Sequence, residues 1–76
     1  MLHNDLALDL SGLTCPMPLL KTKQALNRME AGQVLMVIAT DPASERDFQA
    51  FSQQSRVPLL ETQKADGKFI YWLRKP

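Results

Sequence analysis

The periodicity of this chain changes from two residues to about three and a half at Pro16, and its one cysteine sits at the changeover, in Gly12-Leu13-Thr14-Cys15-Pro16-Met17-Pro18. Before that stretch, Leu6, Leu8 and Leu10 fall on one side and Ala7 and Asp9 on the other, which predicts a half-buried strand over Asp5 to Leu10. Ser11-Gly12 breaks it. After it, Leu19, Thr22, Lys23, Leu26 and Met29 form one stripe, with Leu20 and Ala25 at its edges. Lys21, Gln24, Asn27 and Arg28 take the opposite side, so the spacing predicts an amphipathic helix of about four turns. Pro16 suits its first position, where no N–H is needed, and Gly32 is the natural left-handed stop. A strand that turns this quickly into a helix commits the chain to a layered fold of sheet and helices.

The remaining segments complete the pattern. Residues 1–4 carry no periodicity and are expected to fray. Val34 to Ala39 is apolar on both faces and rich in β-branched residues, as a central strand requires. Thr40-Asp41-Pro42 repeats the device of a polar cap before a proline, and a second helix is expected from Pro42 to Gln54, anchored by Phe48 and Phe51. It ends at Ser55-Arg56 without glycine or asparagine, so one of these residues turns left-handed at a cost of roughly 1 kcal/mol. Pro58 pushes the next strand, Leu59 to Lys64, toward an edge. A turn at Ala65-Asp66-Gly67 joins it to a last strand, Lys68 to Arg74. The order βαβαββ predicts an α+β fold, a two-layer α/β sandwich with two helices on one face of a four-stranded mixed sheet, in one domain over residues 1–76. The first two strands are expected to be parallel. Both helices then leave the C-terminal ends of their strands, so Cys15 and Asp41 should be neighbours on the edge where open sheets place their ligands.

The other sheet face has no helix to cover it. With Leu35, Val37 and Ala39 inward, and Phe69, Tyr71 and Leu73 likewise, Met36, Ile38, Ile70 and Trp72 point outward. Either they are scattered surface hydrophobics, or the inward and outward faces are the reverse of this assignment, or they make a patch for docking or self-association, in which case Trp72→Glu should change partner binding or self-association.

Composition narrows the function. Nine basic and eight acidic residues leave a net charge of +1, without the basic excess that nucleic-acid binding requires. The apolar run from Val34 to Ala39 is far too short to span a bilayer, and no signal peptide is evident at the N-terminus. One cysteine cannot form an internal disulfide, which fits a reducing compartment, most simply the cytoplasm. A lone His3 and a lone Cys15 do not make a metal site, so neither metal nor cofactor is expected.

Cys15 is either a buried apolar residue or a nucleophile. Placed at the N-cap of the first helix, its sulfur would meet the N–H of Met17, whereas Pro18 has none to offer. The helix dipole favours negative charge there, which predicts a moderately stabilised thiolate held by one local donor and aimed by two stiff prolines. With no second cysteine, it could exchange sulfur only with another molecule.

The segment from Leu8 to Lys21 resembles the signature of the TusA/SirA-like sulfur carrier family, Gly-x-x-Cys-Pro-x-Pro. Gly32-Gln33-Val34-Leu35, Thr40-Asp41-Pro42, Arg46-Asp47 and Tyr71-Trp72-Leu73-Arg74-Lys75 extend the resemblance over residues 6–75. It implies the same βαβαββ sandwich. It also implies that Cys15 accepts sulfane sulfur as a persulfide from a cysteine desulfurase or rhodanese-type donor and relays it to an acceptor protein. Gly12, Pro16, Met17 and Pro18 would support the cysteine. Asp41, Arg46 and Asp47 would lie near the sulfur or on the docking edge, although Asp41 can equally be a helix cap and Arg46 a solvated charge. Lys21 and Lys23 would lie on or beside the docking surface. Three departures stand out: Ser55-Arg56 where the family often has glycine, Ile70 where it often has a polar residue, and Met17 where the tRNA-thiolation branch has an acid. The alternatives are a thiol-dependent small-molecule sulfurtransferase or thiosulfate-processing subunit, and a regulatory protein-binding module in which the cysteine is not catalytic.

Overall fold

The computed structural model describes residues 3–76, so Met1 and Leu2, on which part of the expected N-terminal fraying falls, lie outside the described residues. The chain forms β1 (Leu6–Leu10), α1 (Met17–Asn27), β2 (Val34–Ala39), α2 (Ser44–Ser55), β3 (Leu59–Ala65) and β4 (Lys68–Arg74). The sheet order is β1-β2-β4-β3. β1 pairs parallel with β2, and β4 pairs antiparallel with both β2 and β3. β3 therefore runs parallel to β2, and the chain returns through β4 to fill the gap between them. The two most buried strands, β2 and β4, take the centre, where ladder bonds run on both sides, and β3, polar and preceded by Pro58, takes an edge.

Both helices cover one face. Leu35, Val37, Ala39, Tyr71 and Leu73 have no exposed surface and share one core with Leu10, Ala25, Leu26, Met29 and Phe48. The Phe48 and Tyr71 rings stack at 4.4 Å between centroids, with planes 10° apart. Burial of the Phe48 side chain alone stabilises the layer contact by about 2 kcal/mol or more.

The element bounds depart from expectation mainly in the helices. α1 begins at Met17, with Pro16 outside it as the N-cap residue, and ends at Asn27 in a tighter turn closed by Arg28 N–H to Ala25 O and Met29 N–H to Leu26 O. The buried stripe is Pro18, Thr22, Ala25 and Leu26, so Leu20 and Lys23 are exposed. α2 begins at Ser44 because Pro42 stands in the preceding turn. Arg56 is the left-handed residue that ends it, at φ 61.

The outward face is less open than expected. Met36, Ile38 and Ile70 are half-buried, and Trp72 is only 2% exposed. Trp72 lies between Met36 on β2 and Glu61 on β3, both in register with it, so it is a packed residue of the sheet and not part of an exposed patch.

Candidate functional site

Leu10 and Ala39 are register partners at the C-terminal ends of β1 and β2, so the loops that follow them run side by side. The first loop starts with an Asp9 turn: Asp9 Oδ1 accepts the Ser11 N–H at 3.1 Å and the Ser11 hydroxyl at 2.7 Å. These bonds hold the Asp9 carboxyl below its ordinary range. Gly12 follows at φ 84, a conformation that side chains rarely adopt, and its N–H donates to Thr40 Oγ1 at 2.8 Å. The Cys15 N–H donates to Asp41 Oδ2 at 3.0 Å. Thr40 and Asp41 thus clamp the cysteine loop to the loop from β2. Asp41 also turns its own loop, its Oδ1 accepting the Ala43 N–H at 3.4 Å and its carbonyl the Ser44 N–H at 3.0 Å.

The sulfur does not sit as the helix-cap argument anticipates. Pro16 is the N-cap residue, no side chain caps α1, and the Cys15–Pro16 peptide bond is cis. The Met17 N–H donates to Thr14 O at 2.9 Å and is not offered to the thiol. Cys15 is exposed, and its Sγ–H donates to Asp47 Oδ2 at 3.2 Å. That hydrogen bond, with some desolvation and the charges of Asp47 and Asp41, pushes the thiol pKa up, against a smaller downward pull from Arg46. The expectation of a stabilised thiolate is therefore reversed. A carboxylate at hydrogen-bond distance outweighs half a unit of helix-dipole charge.

Asp47 is placed by the first turns of α2. Phe48, next to it, is fully buried, and the buried Ser44 hydroxyl shares a 2.7 Å hydrogen bond with Tyr71 on β4. Burial raises the Tyr71 phenol pKa, and the Ser44 bond partly offsets this. Arg46 Nε stands 3.9 Å from Asp47 Oδ1, but its side chain is 83% exposed, so this pair contributes little.

Of the residues singled out from sequence, Asp41, Arg46 and Asp47 come to Cys15, as do Gly12, Pro16, Met17 and Pro18 by continuity. Lys21 is exposed on α1, and Lys23 lies over the Phe51 ring at 5.4 Å. Lys23 lines a cavity of about 330 Å³ with Phe51, Ser55 and Lys75, toward the C-terminal halves of both helices and away from the sulfur. Thr40, Ser44 and Tyr71 are supporting residues that the sequence reading left without a role at the site. For Thr40 the signal was there, because Thr40-Asp41-Pro42 repeats the polar-residue-then-proline device of the first loop.

The Cys15 sulfur and the Asp41 and Asp47 oxygens lie within 4.8 Å of one another. The three atoms are one thiol sulfur and two carboxylate oxygens, and within the cluster the thiol gives its hydrogen bond to Asp47.

Residues 6–75 match the family model described as Sulfurtransferase TusA. A sulfur carrier protein TusA of Allochromatium vinosum is 51% identical over 71 residues, 93% of each chain. One from Pseudomonas putida is 42% identical over 71 residues, 93% of this chain and 89% of that one. The crystal structure of a SirA-like protein from Desulfitobacterium hafniense superposes with a TM-score of 0.78 at 25% identity, covering 91% of this chain and 95% of the other.

Proposed function

The chain belongs to the TusA family of sulfur carriers, and on that premise we propose that Cys15 takes up sulfane sulfur as a persulfide and hands it to an acceptor protein. The observation that carries this reading is the presentation of the sulfur. Cys15 is the one thiol of the chain, it is exposed, and its loop is fastened at Gly12 and Cys15 while the sulfur stays at the surface. A carrier needs a thiol that a second protein can reach, and a rigid loop lowers the entropy of presenting it.

Sulfur carriage entails a donor and an acceptor protein. The donor fits a cysteine desulfurase or rhodanese-type enzyme, since each can hold a persulfide. The Cys15 sulfur attacks the outer sulfur of the donor's persulfide, the donor S–S bond breaks, and the electron pair leaves on the donor cysteine. Atoms and electrons balance without an external oxidant. The free thiol supports a reducing compartment such as the cytoplasm. Among the described residues no helix is long and apolar enough to cross a membrane. The match over residues 6–75 supports reading the chain as one carrier domain.

Incubation with a cysteine desulfurase and cysteine, followed by intact-mass spectrometry, tests the proposal. The native chain should gain the mass of one or more sulfur atoms, and Cys15→Ser should gain none. Absence of the adduct in the native chain would end this reading.

A further inference from the structure

We propose that Asp47 is a positioning residue that stores the Cys15 sulfur as a docked, hydrogen-bonded thiol and turns it outward once it bears a perthiolate, an inference that rests on Cys15 being the sulfur acceptor. The bond between Sγ and Asp47 Oδ2 exists only while the sulfur has a proton to donate, because the carboxylate is an acceptor alone. Asp47 is poorly placed to retreat: its side chain is 24% exposed, and its helix turn is pinned by buried Phe48 and by the Ser44–Tyr71 bond. Its second oxygen pairs, among the described residues, with the solvated Arg46 at 3.9 Å.

The charged groups that face the sulfur are Asp47 and Arg46 from α2 and Asp41 from the loop before it. The segment from Thr14 to Leu20, on the other side, carries no charge. A neutral thiol therefore finds an acceptor at this edge, whereas an anionic sulfur finds two carboxylates and one weakly held cation. Like charges at this separation disfavour the anion.

Loading changes the charge. In net terms the donor's persulfide and the Cys15 thiol become the donor's thiol and a Cys15 perthiol, with the sulfane sulfur moving from one cysteine sulfur to the other. The proton lost by Cys15 is balanced by one gained at the donor thiolate. A perthiol is a stronger acid than its parent thiol, so the loaded group releases a proton to solvent and becomes an anion. It can no longer donate to Asp47, and the nearby carboxylates repel it. Cys15 is exposed, so its side chain can rotate away while the Gly12–Thr40 and Cys15–Asp41 backbone bonds stay in place. The empty carrier is thereby kept a reluctant nucleophile and the loaded one displays its cargo. A donor that brings a cation against Asp47 would release the thiol at the moment of transfer.

Two measurements test this on the full chain. In the first, the rate of Cys15 alkylation by neutral iodoacetamide is followed against pH for the native chain and for Asp47→Asn, with thermal unfolding confirming that both are folded. Asp47→Asn should move the midpoint of the profile to lower pH and raise the rate near neutrality several-fold; an unchanged midpoint overturns the hold. The second uses the native chain alone, so it stands even if the variant does not fold. The ¹³C resonance of the Asp47 carboxyl is compared between the thiol form and protein persulfidated chemically with polysulfide. It should shift on loading, and an unmoved resonance overturns the outward turn. Neither measurement needs a protein donor. Failure to take up sulfur from a desulfurase would instead count against Cys15 as acceptor, whatever the alkylation profile shows.

Discussion

Asp41 holds the backbone of Cys15 and leaves its sulfur free: Asp41 Oδ2 accepts the Cys15 N–H at 3.0 Å across 26 residues of sequence. The thiol turns instead to Asp47, which comes from the first turns of α2. One carboxylate fixes where the loop is and the other sets what the sulfur does. The division follows from the parallel pairing of β1 and β2, which delivers both loops to the same edge.

Asp41→Ala should loosen the loop without removing the thiol. It takes away the acceptor for Cys15 N–H and for Ala43 N–H, at a cost of about 1–2 kcal/mol. Urea unfolding should show that loss, and the Cys15 amide should exchange with solvent faster. Asp41→Asn, which keeps one acceptor oxygen, should lose less.

How much of this was legible in the sequence depends on how local the cause is. The bounds of β2, the turn at Asp66-Gly67 and the left-handed Arg56 follow from neighbouring residues, and all three stand in the structure as expected. The placement of β4 between β2 and β3 depends on pairing between distant strands, and composition does not record it: β1, with four apolar residues of five, lies at an edge. The start of α1 was misplaced because proline preference at the first helical turn does not distinguish Pro16 from Pro18. The sign of the Cys15 shift was wrong for a different reason. The helix dipole is written in the local sequence, but the Asp47 carboxylate arrives from 32 residues away. Only Asp47's place near the sulfur was anticipated, through the family resemblance.

Raising the pH should weaken the fold through Cys15. The folded state holds the thiol proton more tightly than the unfolded chain does, so this contribution is fully present below the ordinary thiol value of 9.0. It is lost as pH rises through the higher folded value. The free energy of unfolding should therefore decline above about pH 9 more steeply in the native chain than in Cys15→Ser. Equal slopes would argue against the thiol–carboxylate bond in solution.

On the acid side the sign reverses. Asp9 is held below its ordinary value of 3.8 by the hydroxyl and N–H of Ser11, with a further pull from Lys68. Its contribution is present above that value and lost as pH falls through the lower folded one. Asp9→Asn should flatten the acid limb of the stability curve, read by circular dichroism as a function of pH.

Tyr71→Phe should cost about 1–3 kcal/mol, because it strands the Ser44 hydroxyl, which is 1% exposed, without its partner. Ser44→Ala strands the phenol in the same way. The double variant removes both ends and should be less destabilised than the two single losses added together, with a coupling of about 1 kcal/mol in a urea-unfolding cycle. Additive losses would mean that the bond contributes nothing of its own.

Trp72→Glu should unfold the chain and not merely disarm a surface. Trp72 is 2% exposed between Met36 and Glu61, its indole N–H has no hydrogen-bond partner among the described residues, and replacing it would set a second carboxylate beside Glu61. Loss of the ring alone costs about 3–5 kcal/mol, and an unpaired buried charge adds to it. A domain of this size has little more than that in reserve. Far-UV circular dichroism at 25 °C should show the variant largely unfolded, whereas Ile70→Thr, at a half-buried position in the same strand, should stay folded with a smaller loss. A folded, cooperative Trp72→Glu would return Trp72 to the exposed surface and reopen that face as a docking site.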